Sequence, residues 1–239
     1  MKCAPIEAVI LALDPAKHTS GAVILIPDYG DGLAATGEAH SFNGSYALHE
    51  FGKVETQEER GRFIESFLEV AEDMGLPLVV MAETWDPPRT RKVRLPGGFF
   101  GFLMDPKWTY TTVLGIGEGW GRWTAELETA QLFLEEEGLP AFTIERVTPN
   151  DWRDALWGAN RARDTEALKE TACRTFEGVF GYAASADISE AGCIALYATT
   201  CPAVEAAAAQ WNRKLTELEQ KVAKDKSKAK TKRKKRKVH

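Results

Sequence analysis

The sequence predicts an α/β fold, a mixed five-stranded sheet with helices on both faces. Residues 7–13 (EAVILAL) and 21–28 (GAVILIPD) are unbroken apolar runs, as in strands buried on both sides. Only seven residues join them, which suits antiparallel neighbours. Two later apolar runs, 77–83 and 141–147, arrive through helical segments, so the sheet mixes both directions.

The remaining elements follow from local signals. A third, weaker strand is expected near 34–42. Thr56 and Glu59 have capping-box spacing, and Phe63, Phe67 and Val70 follow at helical intervals, predicting a helix over 57–74 that Gly75 stops. Residues 86–107 hold prolines, glycines and the basic run Arg89, Arg91, Lys92 and Arg94, which reads as an inserted loop or β-hairpin. A long helix is expected over about 109–137. Gly115, Gly117, Gly119 and Gly121 interrupt its pattern, each costing about 1 kcal/mol against Ala, so another backbone should approach there. Helices at about 149–157, 164–177, 186–201 and 203–222 complete the order, with no internal repeat.

At 239 residues, with 44% hydrophobic and 27% charged residues, the chain has the composition of a globular protein. No apolar run reaches the 18 or so residues of a spanning helix. Asp14 ends the first apolar run with no small-residue cleavage site after it, so no signal peptide is expected. Cys3, Cys173, Cys193 and Cys201 form no C-x-x-C pair and read as thiols in a reducing compartment.

The net charge of −5 conceals a split: residues 221–239 hold eleven Lys/Arg and one acid, leaving the body at −15. The expected division is therefore a domain over 1–220 and a disordered basic tail over 221–239. Lys232, Arg233, Lys234, Lys235, Arg236 and Lys237 are candidate phosphate contacts; a tail that merely solubilises, or folds back on the acidic body, is the alternative. The run KRKKRKV (232–238) also resembles a nuclear import signal.

Four acids stand out. Asp14 and Glu83 each close a buried strand, and Asp187 and Glu190 share one face of a late helix. Carboxylates that converge repel one another unless hard cations such as Mg²⁺ or Mn²⁺ neutralise them. Two such ions about 4 Å apart can activate water and stabilise the leaving oxygen in phosphodiester cleavage. Each acid also has a plainer reading: Asp14-Pro15 as a turn, Asp187 as a helix N-cap with Glu190 as its capping-box partner.

The order of these pieces resembles the RuvC-type Holliday-junction resolvases of the RNase H-like superfamily. The matching segments are VILALDPAKHTSGAVIL (9–25), LVVMAETW (78–85), GIGEGWGRW (115–123) and ADISEAGCIALYA (186–198). The resemblance implies an RNase H-like fold over about 7–202. It also implies Asp14, Glu83, Asp187 and Glu190 as catalytic, metal-binding acids for two Mg²⁺, with Mn²⁺ as substitute. It places a dimerising, DNA-approaching helix on the glycine-rich segment, which accounts for the glycines. Ala16 and Glu190 depart from the usual Gly and Asp. The expected activity is paired, symmetric nicking of four-way DNA junctions by a homodimer, leaving 5′-phosphate and 3′-hydroxyl ends, with no membrane partner and no nucleotide cofactor. Other RNase H-like nucleases, and a non-catalytic junction binder, are the alternatives.

Candidate DNA contacts are Arg89, Arg91, Lys92 and Arg94, with Phe99 and Phe100 as a junction wedge or, alternatively, a hairpin's own packing. Arg163 and Lys169 precede the acidic helix, where the family places a basic residue near the scissile phosphate. His18 is a candidate general base or a solvated loop residue. Trp120, Trp123, Trp152 and Trp157 read as core or dimer-seam packing. A cytoplasmic, nucleoid-associated location is expected for a bacterial or phage protein, and the tail adds a nuclear option.

Overall fold

A computed structural model describes residues 7–16, 18–28, 41–42, 46–84, 91–94, 100–103, 110–159, 161 and 164–236; for 41–42, 91–94, 100–103, 110–116 and 227–236 it describes backbone alone. The strands are β1 (Val9–Asp14), β2 (Ser20–Pro27), β3 (Ser41–Phe42), β4 (Tyr46–Val54), β5 (Leu78–Glu83), β6 (Arg91–Arg94), β7 (Phe100–Leu103) and β8 (Thr143–Val147). The helices are α1 (Gln57–Met74), α2 (Tyr110–Glu136), α3 (Pro149–Trp157), α4 (Thr165–Phe180), α5 (Ala186–Ala198) and α6 (Pro202–Arg236).

The main sheet has the order β3-β4-β2-β1-β5-β8. β1 pairs antiparallel with β2, as the short link requires, and parallel with β5, which pairs parallel with β8. The sheet is mixed, with five long strands and the two-residue β3 at one edge. The third long strand is Tyr46–Val54, antiparallel to β2, and corrects the expected strand at 34–42, of which only Ser41–Phe42 is strand among the described residues. Its sequence, YALHEFGKV, mixes polar with apolar residues because its outer half is only partly covered, which hid it from a search for apolar runs.

Alternation along each central strand divides the core. Ile10 and Ala12 of β1, Val23 and Leu25 of β2, and Val79 and Met81 of β5 face Trp152, Phe176, Phe180 and Ile194 on α3, α4 and α5. Leu11, Leu13, Ile24 and Val80 face Phe63, Phe67, Trp123 and Leu127 on α1 and α2. Each large side chain so buried contributes roughly 1.5–3 kcal/mol.

The α1 signals act as read. Thr56 accepts from the Glu59 N–H at 3.2 Å, Glu59 accepts from the Thr56 N–H at 2.9 Å, and Gly75 closes the helix at φ 63°. Against expectation, α2 runs without interruption through its glycines. Among the described residues, no atom beyond the helix's own neighbouring turns lies within 4 Å of where a Cβ would sit on Gly117 or Gly121, so no described backbone approaches them.

The C-terminal segment is the other correction: helix continues to Arg236, where disorder was expected from 221. Val204, Ala207, Ala208 and Trp211 anchor α6 on the body, and Ala, Lys, Arg, Gln and Glu beyond them are strong helix formers that prolong it outward. Cys173, Cys193 and Cys201 are free thiols.

Candidate active site

β1 and β5 are parallel neighbours in a register that sets Leu13 beside Ala82, so the next residues, Asp14 and Glu83, end the two strands side by side. Each lies two residues beyond a side chain facing α3–α5 (Ala12 and Met81), so both carboxylates fall on that side of the sheet. The third contributor is the start of α5. Gly21 pairs with Asp14 across β1 and β2, and any Cβ at Gly21 would strike the backbone carbonyl of Asp187. Glycine therefore lets α5 begin directly against β2, beside the end of β1. Asp187 and Glu190 then follow one turn apart on the same helix.

The N-cap of α5 is Ser185, with no side-chain cap hydrogen bond. Asp187 is thus not the cap, and Glu190 is not its capping-box partner. Glu190 is buried and accepts from Arg153 Nη2 at 2.7 Å. Trp152, fully buried, donates its indole N–H to Glu83 Oε2 at 2.7 Å. Two consecutive residues of α3 therefore hold two of the four acids. The Arg153 guanidinium also lies over the Trp152 ring, 4.8 Å from its centroid.

The acids feel one another. Burial, then repulsion from Glu83, Glu190 and Asp187, raises Asp14 well above the usual carboxylate range, against an opposing pull from Arg153. Burial likewise pushes Glu83 up to about 7, opposed by Arg153 and by the Trp152 hydrogen bond, with Glu190 adding to the rise. Four carboxylates are hard oxygen donors, a set that fits Mg²⁺ or Mn²⁺ in kind. Among the described residues no three His, Cys, Asp or Glu side chains are close enough together to grip one ion, with Glu83 and Glu190 each engaged by α3.

Trp152 combines the packing expected of it with a hydrogen bond at the site, and Arg153 was not foreseen at all. The available signal is Thr148 and Asp151, whose capping box opens α3 immediately after β8 and brings residues 152 and 153 to the ends of the strands. Gly21 was likewise read only as part of a strand.

The other candidates are less gathered. β6 and β7 form the hairpin expected within 86–107, in a register that sets Arg94 opposite Phe100, Lys92 opposite Phe102 and Arg91 opposite Leu103. Lys169 is half-buried on α4, and His18 is exposed in the turn after β1. Arg161 pairs with Asp154 and donates to Asn150 at 2.8 Å, tying the segment after α3 back onto it. Lys232, Arg233, Lys234, Lys235 and Arg236 lie on the last turns of α6. Arg89, Phe99, Arg163, Lys17 and Lys237 lie outside the described residues.

No family model and no curated protein matches this chain. Solved structures do. Among the solved structures it resembles are Holliday-junction resolvases. Thermus thermophilus RuvC in complex with Holliday junction substrate aligns at a TM-score of 0.44 and 16% identity, over 79% of this chain and 91% of that one. A second Thermus thermophilus RuvC structure gives 0.43 and 17%, over 79% and 92%. The yeast mitochondrial Holliday junction resolvase gives 0.37 and 10%, over 91% and 88%. The mixed α/β sheet with helices on both faces is the architecture expected from the sequence. At 10% to 17% identity, the chemistry has to be read from the site itself.

Proposed function

We propose that this protein is a metal-dependent, structure-selective DNA endonuclease that resolves four-way junctions by paired nicks. The observation that carries the reading is the gathering of Asp14, Glu83, Asp187 and Glu190 at the carboxyl ends of two central strands, where Asp14 is repelled by the other three. Nothing in the packing of a sheet calls for four acids at one place, and their mutual repulsion destabilises the fold. A site that costs stability in this way is characteristic of function.

The four acids would hold two Mg²⁺ ions, with Mn²⁺ as substitute, and the ions when bound would activate water and stabilise the leaving oxygen of a phosphodiester. The chain's own residues orient the donors. Trp152 fixes Glu83, and Gly21 sets how closely α5 approaches β2. The β6–β7 hairpin is the next pair of strands after β5 and sets basic positions opposite aromatic or apolar ones, which suits contact with phosphates and with an unstacked base step.

A homodimer would pair two such sites for symmetric cutting. The open face of Gly117 and Gly121 on α2, and the exposed Leu132 and Phe133 further along the helix, support a second copy seated there. The basic end of α6 adds sequence-independent attraction to DNA. Deleting residues 221–239 should weaken binding and flatten its dependence on salt, measured by anisotropy across a salt series. A bacterial or phage setting would place the protein with DNA in the cytoplasm, and KRKKRKV would serve import if the host has a nucleus.

The test is a gel assay with end-labelled four-way junction, matched duplex and single strand, each with Mg²⁺ or EDTA. Paired Mg²⁺-dependent nicks confined to the junction are expected. Binding without cleavage would make the protein architectural, and cleavage of every substrate would make it a general nuclease.

A further inference from the structure

The acid cluster contains one cation of its own. Arg153 Nη2 meets Glu190 Oε1 at 2.7 Å, with the side chains only 19% and 10% exposed. The Trp152 ring covers one face of the guanidinium, and the buried Arg153 Nε has no hydrogen-bond partner among the described residues. The pair is thus incompletely satisfied, as a structural ion pair optimised for stability would not be. It is also badly placed for one. Glu190 lies one turn from Asp187 beside the ends of β1 and β5, where a divalent ion would need it.

We infer that Arg153 is a resident counter-ion which neutralises Glu190 in the metal-free protein and gives up that carboxylate when a divalent cation enters, so that it competes with the metal for the site. This rests on the metal-dependent reading proposed above. A divalent ion on Glu190 would stand close to the guanidinium, two positive centres in a poorly solvated place, so metal and arginine oppose each other at this carboxylate. The device lowers metal affinity in exchange for a site that folds without metal.

The experiment uses the full chain and Mn²⁺ alone, without DNA. Calorimetric titration compares wild type, Arg153→Met and Arg153→Lys. Arg153→Met should bind Mn²⁺ about tenfold more tightly, because the competitor is gone. Arg153→Lys, which keeps the charge but not the planar fork, should stay within about threefold of wild type. Without metal, Arg153→Met should melt below wild type, and saturating Mn²⁺ should close the gap. Unchanged affinity with an equal melting deficit in both conditions would reduce Arg153 to a structural ion pair. Weaker affinity would make it a residue that positions Glu190 for the metal. Either result overturns the inference.

A second measurement does not depend on Arg153→Met folding. In arginine side-chain NMR spectra of the wild type, the Arg153 Nε–Hε signal, assigned with Arg153→Lys, should move as Mg²⁺ is added. A signal that stays put while Mg²⁺ binds would sink the competition. If the wild type takes up no divalent ion, the metal-dependent reading itself falls, and this inference with it; uptake without any effect of Arg153 defeats the inference alone.

Discussion

Helices α1 and α5 pack on opposite faces of one sheet and are built on opposite terms. α1 has a complete capping box, a left-handed glycine at its end, charged residues along its outer side and an apolar stripe of Phe63, Ile64 and Phe67. Everything it needs is local. α5 has no side-chain cap, is buried from Ser189 to Leu196, and begins where it does because Gly21 of another element makes room. Only α5 carries acids into the site. The helix secured by its own sequence serves the core, and the helix secured by its neighbours carries the candidate acids, because a side chain can be positioned against other strands only by contacts with those strands.

The largest effect that would test this contrast is at Asp14. Asp14→Asn should abolish cleavage in the gel assay while leaving junction binding in place. It should also raise the metal-free melting temperature by about 2–4 °C, since it removes the most strongly repelled carboxylate. Loss of binding, or a drop in melting temperature, would assign Asp14 to the fold instead.

Gly21→Ala comes next. The added Cβ meets backbone, which cannot swing aside, so α5 must shift; about 1–3 kcal/mol of destabilisation is expected by denaturant titration. Cleavage should fall further than the folded fraction accounts for, because Asp187 moves away from Asp14. A variant with full activity per folded molecule would show that α5 is not held by this contact.

The pH dependence sharpens the same point. Folding raises Asp14 and Glu83 above their unfolded range, so the native state binds more protons than the unfolded chain. Their contribution is therefore favourable at low pH and is lost as pH rises towards about 7. Without divalent ions the melting temperature should decline from about pH 5 to about pH 7.5, and Mg²⁺ should remove the decline. A flat profile would mean the two carboxylates are solvated.

The smallest effect belongs to α1. Thr56→Ala should cost about 1 kcal/mol in denaturant titration and leave cleavage per folded molecule unchanged. A loss of activity there would join α1 to the site and dissolve the contrast.

Much of the fold could be read along the chain, for the same reason that α1 could. β1, β2 and β5 are apolar enough to declare burial, and capping boxes and stop glycines mark where helices begin and end. Glu83 stood out as a candidate because nothing about a buried strand asks for an acid at its end, and Asp14, Asp187 and Glu190 joined it through their order along the chain. β4 escaped because its half-covered residues carry no apolar run, and α6 ran on because its tail, though unable to form a core, is rich in helix formers.

Sequence alone determined the central strands and the capped helices, since those follow from burial, periodicity and local hydrogen bonding; the four acids it offered as candidates, by their order along the chain. Tertiary structure alone decided that Gly21 admits α5 beside β1, that Trp152 and Arg153 hold Glu83 and Glu190, and that Asp187 is not a cap. Those contacts join residues up to 166 positions apart, as Gly21 and Asp187 are. Their chemistry exists only once the sheet and the helices on its α5 face have come together.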